Sequence, residues 1–311
     1  MAGRSPGSRG RRRARGKAPG SGDPGLSRRR LLGQGLAALS VAGCDRFDVS
    51  SWLDRQSHDV DGRFRASMEE LQALPSPVLE RGDRWSMLLV TDFHCWEEEI
   101  PVSLVQVADY LVEEPVDFVV ALGDLVDSGS EAEYDTCRTV FQILDTPFYT
   151  VIGNHDVWNG GWTHYRRQFG PSVYTLTVHT QNRETLLIAL DAAGGTLGGL
   201  QRPWFERQLA ETTAQDIFVF AHYPLWVPVE TGYSQMGSQQ EVYDLLNLLR
   251  RYEVRAHFSG HTHRWARTSF NGTELFTVSA MKEAAANRCA LRVDVASWGI
   301  TYSRIPFGDE A

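Results

Sequence analysis

The sequence predicts an α/β fold in which two mixed β-sheets pack together with helices on the outside. Three observations lead there. Short apolar runs rich in β-branched and aromatic residues recur at 87–90, 118–122, 148–152, 217–220 and 254–258. A continuous apolar run of that length reads as a strand buried on both faces. Helical patterns separate the earlier runs, and after about residue 265 only strand patterns follow, as expected for a βα-alternating part and a β-rich part sharing one core. Each of the five runs also ends in a short polar block, and open α/β sheets bind their ligands beyond the carboxyl ends of the strands.

The elements follow in chain order. Residues 1–26 are dominated by Arg, Gly, Ser and Pro without apolar periodicity, a composition that buries too little surface to order itself. Ser27-Arg28-Arg29-Arg30-Leu31-Leu32 then opens an apolar stretch reaching Gly43. It is too short to span a bilayer and suits the apolar part of an export signal. The paired arginines resemble a twin-arginine signal. Ser40-Val41-Ala42-Gly43-Cys44 resembles a bacterial lipobox, with Cys44 as the lipidated first mature residue. The expected organisation is a basic head and signal over 1–43, a tether and N-terminal extension over 44–84 with one helix from about 62 to 74, and a single domain over 85–311. The expected location is beyond the bacterial inner membrane, in the cell envelope, with a lipid anchor at Cys44.

Within the domain, helices are expected at 102–113, 132–144, 199–210 and 239–252. Pro101 and Ser130 stand where helices start, and Asp244, Leu245, Leu248 and Leu249 divide a polar from an apolar face. Strands at 172–180 and 184–190 read as an antiparallel hairpin. The last strands are expected at 267–270, 274–279, 290–295 and 300–305, and Asn271-Gly272 is a hairpin turn signal between the first two. No internal repeat is visible.

Charge limits the partners. The 311-residue chain has 31 Lys and Arg and 39 Asp and Glu; residues 1–43 hold ten of the basic residues and one acid. The rest therefore carries 21 basic and 38 acidic groups, a formal charge of −17. Such a body does not bind nucleic acid, which needs a basic surface, nor anionic lipid through its own charges. With Cys44 assigned to lipid, Cys95, Cys137 and Cys289 remain, an odd number whose spacing does not fix a disulfide. Cys95 reads as a small buried hydrophobe turned away from its neighbour His94.

The five blocks are Asp92-Phe93-His94, Gly123-Asp124, Gly153-Asn154-His155-Asp156, Ala221-His222 and Gly260-His261-Thr262-His263. They bring two Asp, one Asn and four His to one sheet edge, with a further His and Asp beside them. Hard oxygen and neutral imidazole donors suit first-row transition metals, and no thiolate falls within the blocks. Seven ligand side chains exceed the needs of one tetrahedral ion and suffice for two if Asp124 bridges. Two ions about 3.5–4 Å apart can grip the attacking and phosphoryl oxygens of an in-line displacement, and a water bridging them becomes hydroxide, the nucleophile, near neutral pH. His155 is left over as a proton donor to the leaving oxygen, and Asp156 could orient it.

In these five blocks and their order, the sequence resembles the calcineurin-like metallophosphoesterase superfamily, over roughly residues 85 to 305. The resemblance implies a four-layer α/β/β/α sandwich and a metal-dependent phosphoric ester hydrolase. It implies that Asp92, His94, Asp124 and His263 hold one ion and that Asp124, Asn154, His222 and His261 hold a second, the ions being Mn, Fe or Zn. It also implies that His155 is the catalytic histidine with Asp156 behind it. The wording of residues 121–129, of Ala221-His222-Tyr223-Pro224, and of 198–209 with Gln201 and Trp204 is similar to the class III cyclic-nucleotide phosphodiesterase branch. Purple acid phosphatases place a metal-binding Tyr where this chain has Asp127, so an iron–tyrosinate colour is not expected. Ala221 where the family usually has Gly is neutral.

The expected substrate is a phosphodiester or a small phosphomonoester. The rivals are a pyrophosphate hydrolase acting on a nucleotide sugar or lipid precursor, favoured by an added apolar cap, and a metal-bound envelope scaffold, which would not need His155 and Asp156. His58, His164, His179 and His257 lack ligand spacing, and His257 reads as structural. Glu97-Glu98-Glu99 reads as a solvated loop or, at the entrance, as a negative rim favouring the singly charged diester. Trp158, Trp162, Tyr165, Trp226 and Tyr233 read as loop packing or as surfaces on which a substrate ring could stack. Arg264 reads as a surface residue or a phosphate contact.

Overall fold

The computed structural model describes residues 58–73, 76–96, 100–228, 236–282, 285 and 287–308. The twin-arginine stretch, Cys44, Glu97–Glu99 and Tyr233 lie outside them. The helices are α1 Val60–Ala73, α2 Val102–Glu113, α3 Glu131–Ile143, α4 Gly161–Phe169, α5 Gly198–Glu211 and α6 Gln239–Arg251. The strands are β1 Val78–Glu80, β2 Arg84–Val90, β3 Phe118–Ala121, β4 Phe148–Thr150, β5 Tyr174–His179, β6 Glu184–Ala189, β7 Asp216–Phe220, β8 Ala256–Ser259, β9 Ala266–Phe270, β10 Thr273–Thr277, β11 Cys289–Ala296 and β12 Gly299–Pro306.

Two sheets form, with orders β12-β11-β2-β3-β4 and β1-β5-β6-β7-β8-β10-β9. Their strands are apolar on both faces because each has two partners. On β2, Met87 and Leu89 point between the sheets while Leu88 and Val90 meet α2 and α3. On β7, Phe218 and Phe220 point inward, and Ile217 and Val219 meet α5 and α6. The period of two thus sends alternate residues to different layers. With α2, α3 and α4 on the first sheet and α1, α5 and α6 on the second, the protein is a four-layer sandwich, the architecture expected from the sequence.

Local chemistry sets the helix starts. Ser130 accepts from Glu133 N and Glu133 accepts from Ser130 N, a reciprocal cap opening α3. Ser238 caps α6 through Glu241 N. Asn271 (φ 49°) and Gly272 (φ 93°) turn β9 into antiparallel β10.

Several features were not expected. The 3₁₀ turn His155–Gly160 and α4 follow the third block directly. Within the N-terminal extension, the expected helix α1 packs on α5, and β1 pairs with β5. β11 and β12 return to the first sheet, beside β2.

Candidate active site

β2, β3 and β4 are parallel, as are β6, β7 and β8, so the five blocks emerge at the carboxyl ends of strands. The two sheets present those ends at a common edge, where all seven predicted ligands meet. Three groups of donors are close enough to share an ion: Asp92, His94 and His263; Asp124, His222 and His261; and His94, Asp127 and His155. The first two fall within the two predicted ligand sets. Asn154 joins the second through its Oδ1, 3.1 Å from His261 Nδ1.

The backbone bends hard to achieve this. Asp92, His94, Asp124, His261 and His263 all have φ between 49° and 71°. Each such non-glycine residue costs about 1–2 kcal/mol. Cross-block hydrogen bonds hold the bends: Asp92 N to Gly123 O (3.0 Å), His94 N to Asp124 O (3.1 Å), Cys95 N to Leu125 O (2.9 Å) and Gly260 N to His222 O (3.0 Å). Two glycines are required by close approach. A Cβ on Gly153 would stand 2.2 Å from Asp124 Oδ1, and one on Gly260 would stand 2.0 Å from Thr91 Oγ1.

Each ligand is aimed by a neighbour. His222 Nδ1 lies 2.9 Å from the carbonyl of Leu122, and since a carbonyl only accepts, Nδ1 carries the proton and Nε2 turns inward. Thr91 Oγ1 (2.6 Å) and His261 N (3.0 Å) both donate to Asp92 Oδ2, leaving Oδ1 to face His263 Nε2 at 3.2 Å. His155 N donates to Asp124 Oδ1 (2.9 Å), so Oδ2 faces His222 Nε2 at 3.1 Å and His94 Nε2 at 3.9 Å. Asp124 thereby stands between the two donor groups.

The cluster suits cations. Asp92 Oδ1 and His222 Nε2 are buried without a hydrogen-bond partner of acceptable geometry, although each has an oppositely charged group close by. His94 Nε2 and His263 Nε2 lie 3.2 Å apart, where only one of them can donate. Burial pushes the Asp92 carboxyl up, but His263 beside it and His222 more than offset this, so it ends below the usual carboxylate range. Burial likewise opposes ionisation of Asp124, and His222 and His155 override it. Burial pushes His222 down and Asp124 reverses it, to about 9; His263 is raised through Asp92 in the same way. Burial holds His261 near 4 and lowers His94. The two carboxylates thus draw positive charge into the pocket, and its oxygen and imidazole donors suit metal ions.

Asp156 and Asp127 make contacts that the sequence does not spell out. The Asp156 carboxylate is engaged by backbone N–H groups. Its Oδ1 accepts from Leu125 N (2.9 Å) and Val126 N (3.3 Å), and its Oδ2 accepts from Gly153 N (2.8 Å). It therefore ties the second block to the third, and burial with Asp124 nearby raises it to about 7. The ring of His155 meets the carbonyl of Asp127, 2.5 Å from Nδ1, and Trp158, whose ring centroid lies 3.8 Å away. Asp127, seen in sequence only as a departure from Tyr, places Oδ1 3.2 Å from His94 Nδ1. Its carboxyl, opposed by burial and favoured by His94, ends lowered, as suits a carboxylate bracing an imidazole ligand.

Other residues missed in sequence are Thr91, Tyr134, whose hydroxyl donates to Asp156 O (2.7 Å), and Tyr223, whose ring lies 4.0 Å from that of His261. Thr91 and Tyr223 carry the signal of position beside a block, and Tyr134, inside α3, carries none. Trp162 and Tyr165 stack in α4, and Arg264 is exposed. His257 is buried on β8, as expected of a structural histidine. Cys95, Cys137 and Cys289 are buried free thiols, with Cys95 in the core under α2 and α3.

Fold and site are those of the metallophosphoesterase class. More narrowly, the chain belongs to the calcineurin-like phosphoesterase family, whose model matches residues 86–265. It is 30% identical over 178 residues to the probable glycerophosphodiester phosphodiesterase GpdQ of Arcobacter nitrofigilis, covering 53% of this chain and 63% of that protein. It is 26% identical over 173 residues to a probable cyclic nucleotide phosphodiesterase of Psychrobacter arcticus, covering 52% and 62%. The chain thus spans just under two thirds of the length of these relatives. Among solved structures, the purple acid phosphatase PPD1 from yellow lupin (Lupinus luteus) seeds superposes with a TM-score of 0.54 at 17% identity, over 74% of this chain and 53% of that one. That likeness concerns the fold alone.

Proposed function

We propose that the protein is a two-metal phosphodiesterase. The observation that carries this is the position of Asp124 Oδ2 between His222 on one side and His94 on the other, with all remaining donors grouped around those two. Asp92, His94, Asp124 and His263 would hold one ion, and Asp124, Asn154, His222 and His261 the other. Such ions supply charge neutralisation at the phosphoryl oxygens and acidify water.

The reaction adds the oxygen of water to phosphorus and breaks one P–O ester bond, and the alcohol leaves with a proton. His155 is placed to deliver it. Its Nδ1–H is held by the Asp127 carbonyl, so Nε2 is the nitrogen from which a proton can move. Trp158 keeps the ring from rotating away. Diesters are favoured over monoesters because both curated relatives described above are named as diesterases and because the chain after residue 43 is strongly acidic. A diester brings one negative charge to that body where a monoester near neutral pH brings close to two. The deciding measurement compares a diester and a monoester of one aryl group, with metal analysis of the same preparation. We expect about two metals per chain and a higher kcat/KM on the diester, the gap narrowing as salt rises. A monoester preference at low salt would make the protein a phosphatase.

The same reading places the enzyme beyond the inner membrane, held by lipid at Cys44. Arg28→Lys with Arg29→Lys should trap the precursor inside the cell, and normal export of that variant would overturn the assignment. Cys44→Ala should shift most of the protein from the membrane pellet to the washed soluble fraction.

A further inference from the structure

We infer that Cys95 and Cys137 close a disulfide when the chain meets a disulfide oxidant, and that this bond braces the metal-bearing edge from within the core. The spacing of the cysteines leaves their pairing open, and contacts in the folded chain choose it. The bracing rests on the metal-centre reading above; the bond itself does not.

Cys95 and Cys137 are both fully buried in the same part of the core, and their side chains hydrogen-bond to each other. Two features of the backbone that do not involve sulfur bring them together. Along the first block, Asp92 and His94 face the other metal donors, while Phe93 and Cys95 turn into the core. Along α3, Tyr134, Cys137 and Phe141 lie on one buried face at helical spacing. Phe93 meets Phe141 edge-on, with ring centroids 5.8 Å apart. Two residues of extended chain and one helical turn each advance about 6 Å, so Cys95, two positions after Phe93, falls opposite Cys137, one turn before Phe141. Cys289 lies on β11 opposite Pro306 and stays a thiol.

The step is thiol–disulfide exchange with a small disulfide, for which oxidised glutathione serves. One cysteine thiolate attacks it to give a mixed disulfide, and the second cysteine displaces the remaining half. One S–S bond forms in the protein, one breaks in the oxidant, and the oxidant's two sulfurs leave as thiols carrying the two protons. Because both cysteines are buried, exchange needs a transient opening, and the finished bond is slow to reduce. Its position ties it to the metal centre. Cys95 directly follows His94, whose backbone is held at φ 49°. Cys95 N already donates to Leu125 O (2.9 Å), and Cys95 O accepts from Asp127 N (3.3 Å). At the other end, α3 holds the third block through Tyr134, whose hydroxyl donates to Asp156 O (2.7 Å). The bond closes a loop of about 40 residues that contains Asp124, so it narrows the freedom of the chain on which two of the five blocks depend.

The test takes the full chain carrying Cys44→Ala, loaded with metal and fully reduced, and incubates it with excess oxidised glutathione, both alone and in urea just below the unfolding transition so that slow access does not hide the reaction. Intact mass should fall by two hydrogens, alkylation in denaturant should find one thiol in place of three, and non-reducing peptide mapping should show Cys95 joined to Cys137. Three free thiols in both conditions, a glutathione adduct that goes no further, or a cross-link through Cys289 would overturn the pairing. After desalting, the oxidised chain should melt about 5–15 °C above the same chain reduced with dithiothreitol, and should release metal to a chelator several-fold more slowly. Cys289→Ala should keep both differences and Cys137→Ala should abolish them. Equal release by the two forms with the bond present would overturn the bracing. A chain that holds no metal in either form would instead remove the metal-centre reading, leaving the cross-link and the melting shift to score the disulfide on their own.

Discussion

Two buried polar clusters lie at carboxyl ends of strands, one after β6 and one where the two sheets' edges meet, and they differ in one respect. Around Asp191 every oxygen is occupied. Arg63 donates through Nε (2.7 Å) and Nη2 (3.0 Å), Ser172 Oγ adds 3.0 Å and Ala193 N adds 3.1 Å. Gln201 closes the surrounding backbone by accepting from Asp191 N and donating to Asp191 O. Around Asp92 and Asp124 neighbouring groups orient each donor just as firmly, but Asp92 Oδ1 and His222 Nε2 have only charged neighbours and no hydrogen bond of acceptable geometry. The Arg63 cluster anchors α1 to the sandwich by itself. The other cluster is complete only with cations. Burial of charge alone therefore does not mark a functional site; buried donors and acceptors that converge without a satisfied hydrogen bond do.

The sharpest way to break this contrast is Asp124→Asn. It should abolish turnover, by about a thousandfold or more, and lower metal content at the same time. Full occupancy with full activity would remove Asp124 from its central role. His155→Ala should retain metal and lower kcat by roughly 10²–10⁴-fold, less for esters with good leaving groups. Metal loss in that variant would make His155 a ligand through the group it forms with His94 and Asp127.

On the closed cluster, Arg63→Met should cost about 3–5 kcal/mol in a urea melt, since it strands the Asp191 carboxylate, while metal content stays unchanged. Adding Asp191→Leu should restore much of the loss. If Arg63→Met were harmless to stability, the two clusters would not differ as described.

His257 gives the smallest effect. Burial alone lowers its pKa from 6.5 to about 4, so the unfolded chain takes up a proton that the folded chain refuses. Its share of stability is full above pH 6.5 and falls away as pH drops toward 4, on the order of 3 kcal/mol in all. His257→Gln should flatten the acid limb of a Tm-against-pH curve between those values.

The strand-end blocks were legible because each side chain's place follows from a local rule, an apolar run that stops at a polar residue. The helix at 102–113 was equally local, as was the cap at Ser130. What escaped was non-local or weakly coded. Residues 161–169 begin Gly-Trp-Thr-His and carry little helix propensity, so α4 owes its form to packing against α3 and the 3₁₀ turn. The work of Asp127 and Asp156 consists of contacts made about 30 positions away in sequence, on which spacing within a block is silent. The return of β11 to the first sheet is of the same kind.

That return bears on how the chain is made. β2 gains its partner β11 only when residues 289–296 have left the ribosome, about 200 positions after β2 itself. At roughly 5–20 residues per second, one edge of an apolar strand stays bare for about 10–40 s during synthesis. A bare apolar edge is a template for wrong pairing, and the nascent chain must be shielded there until its C-terminal hairpin arrives.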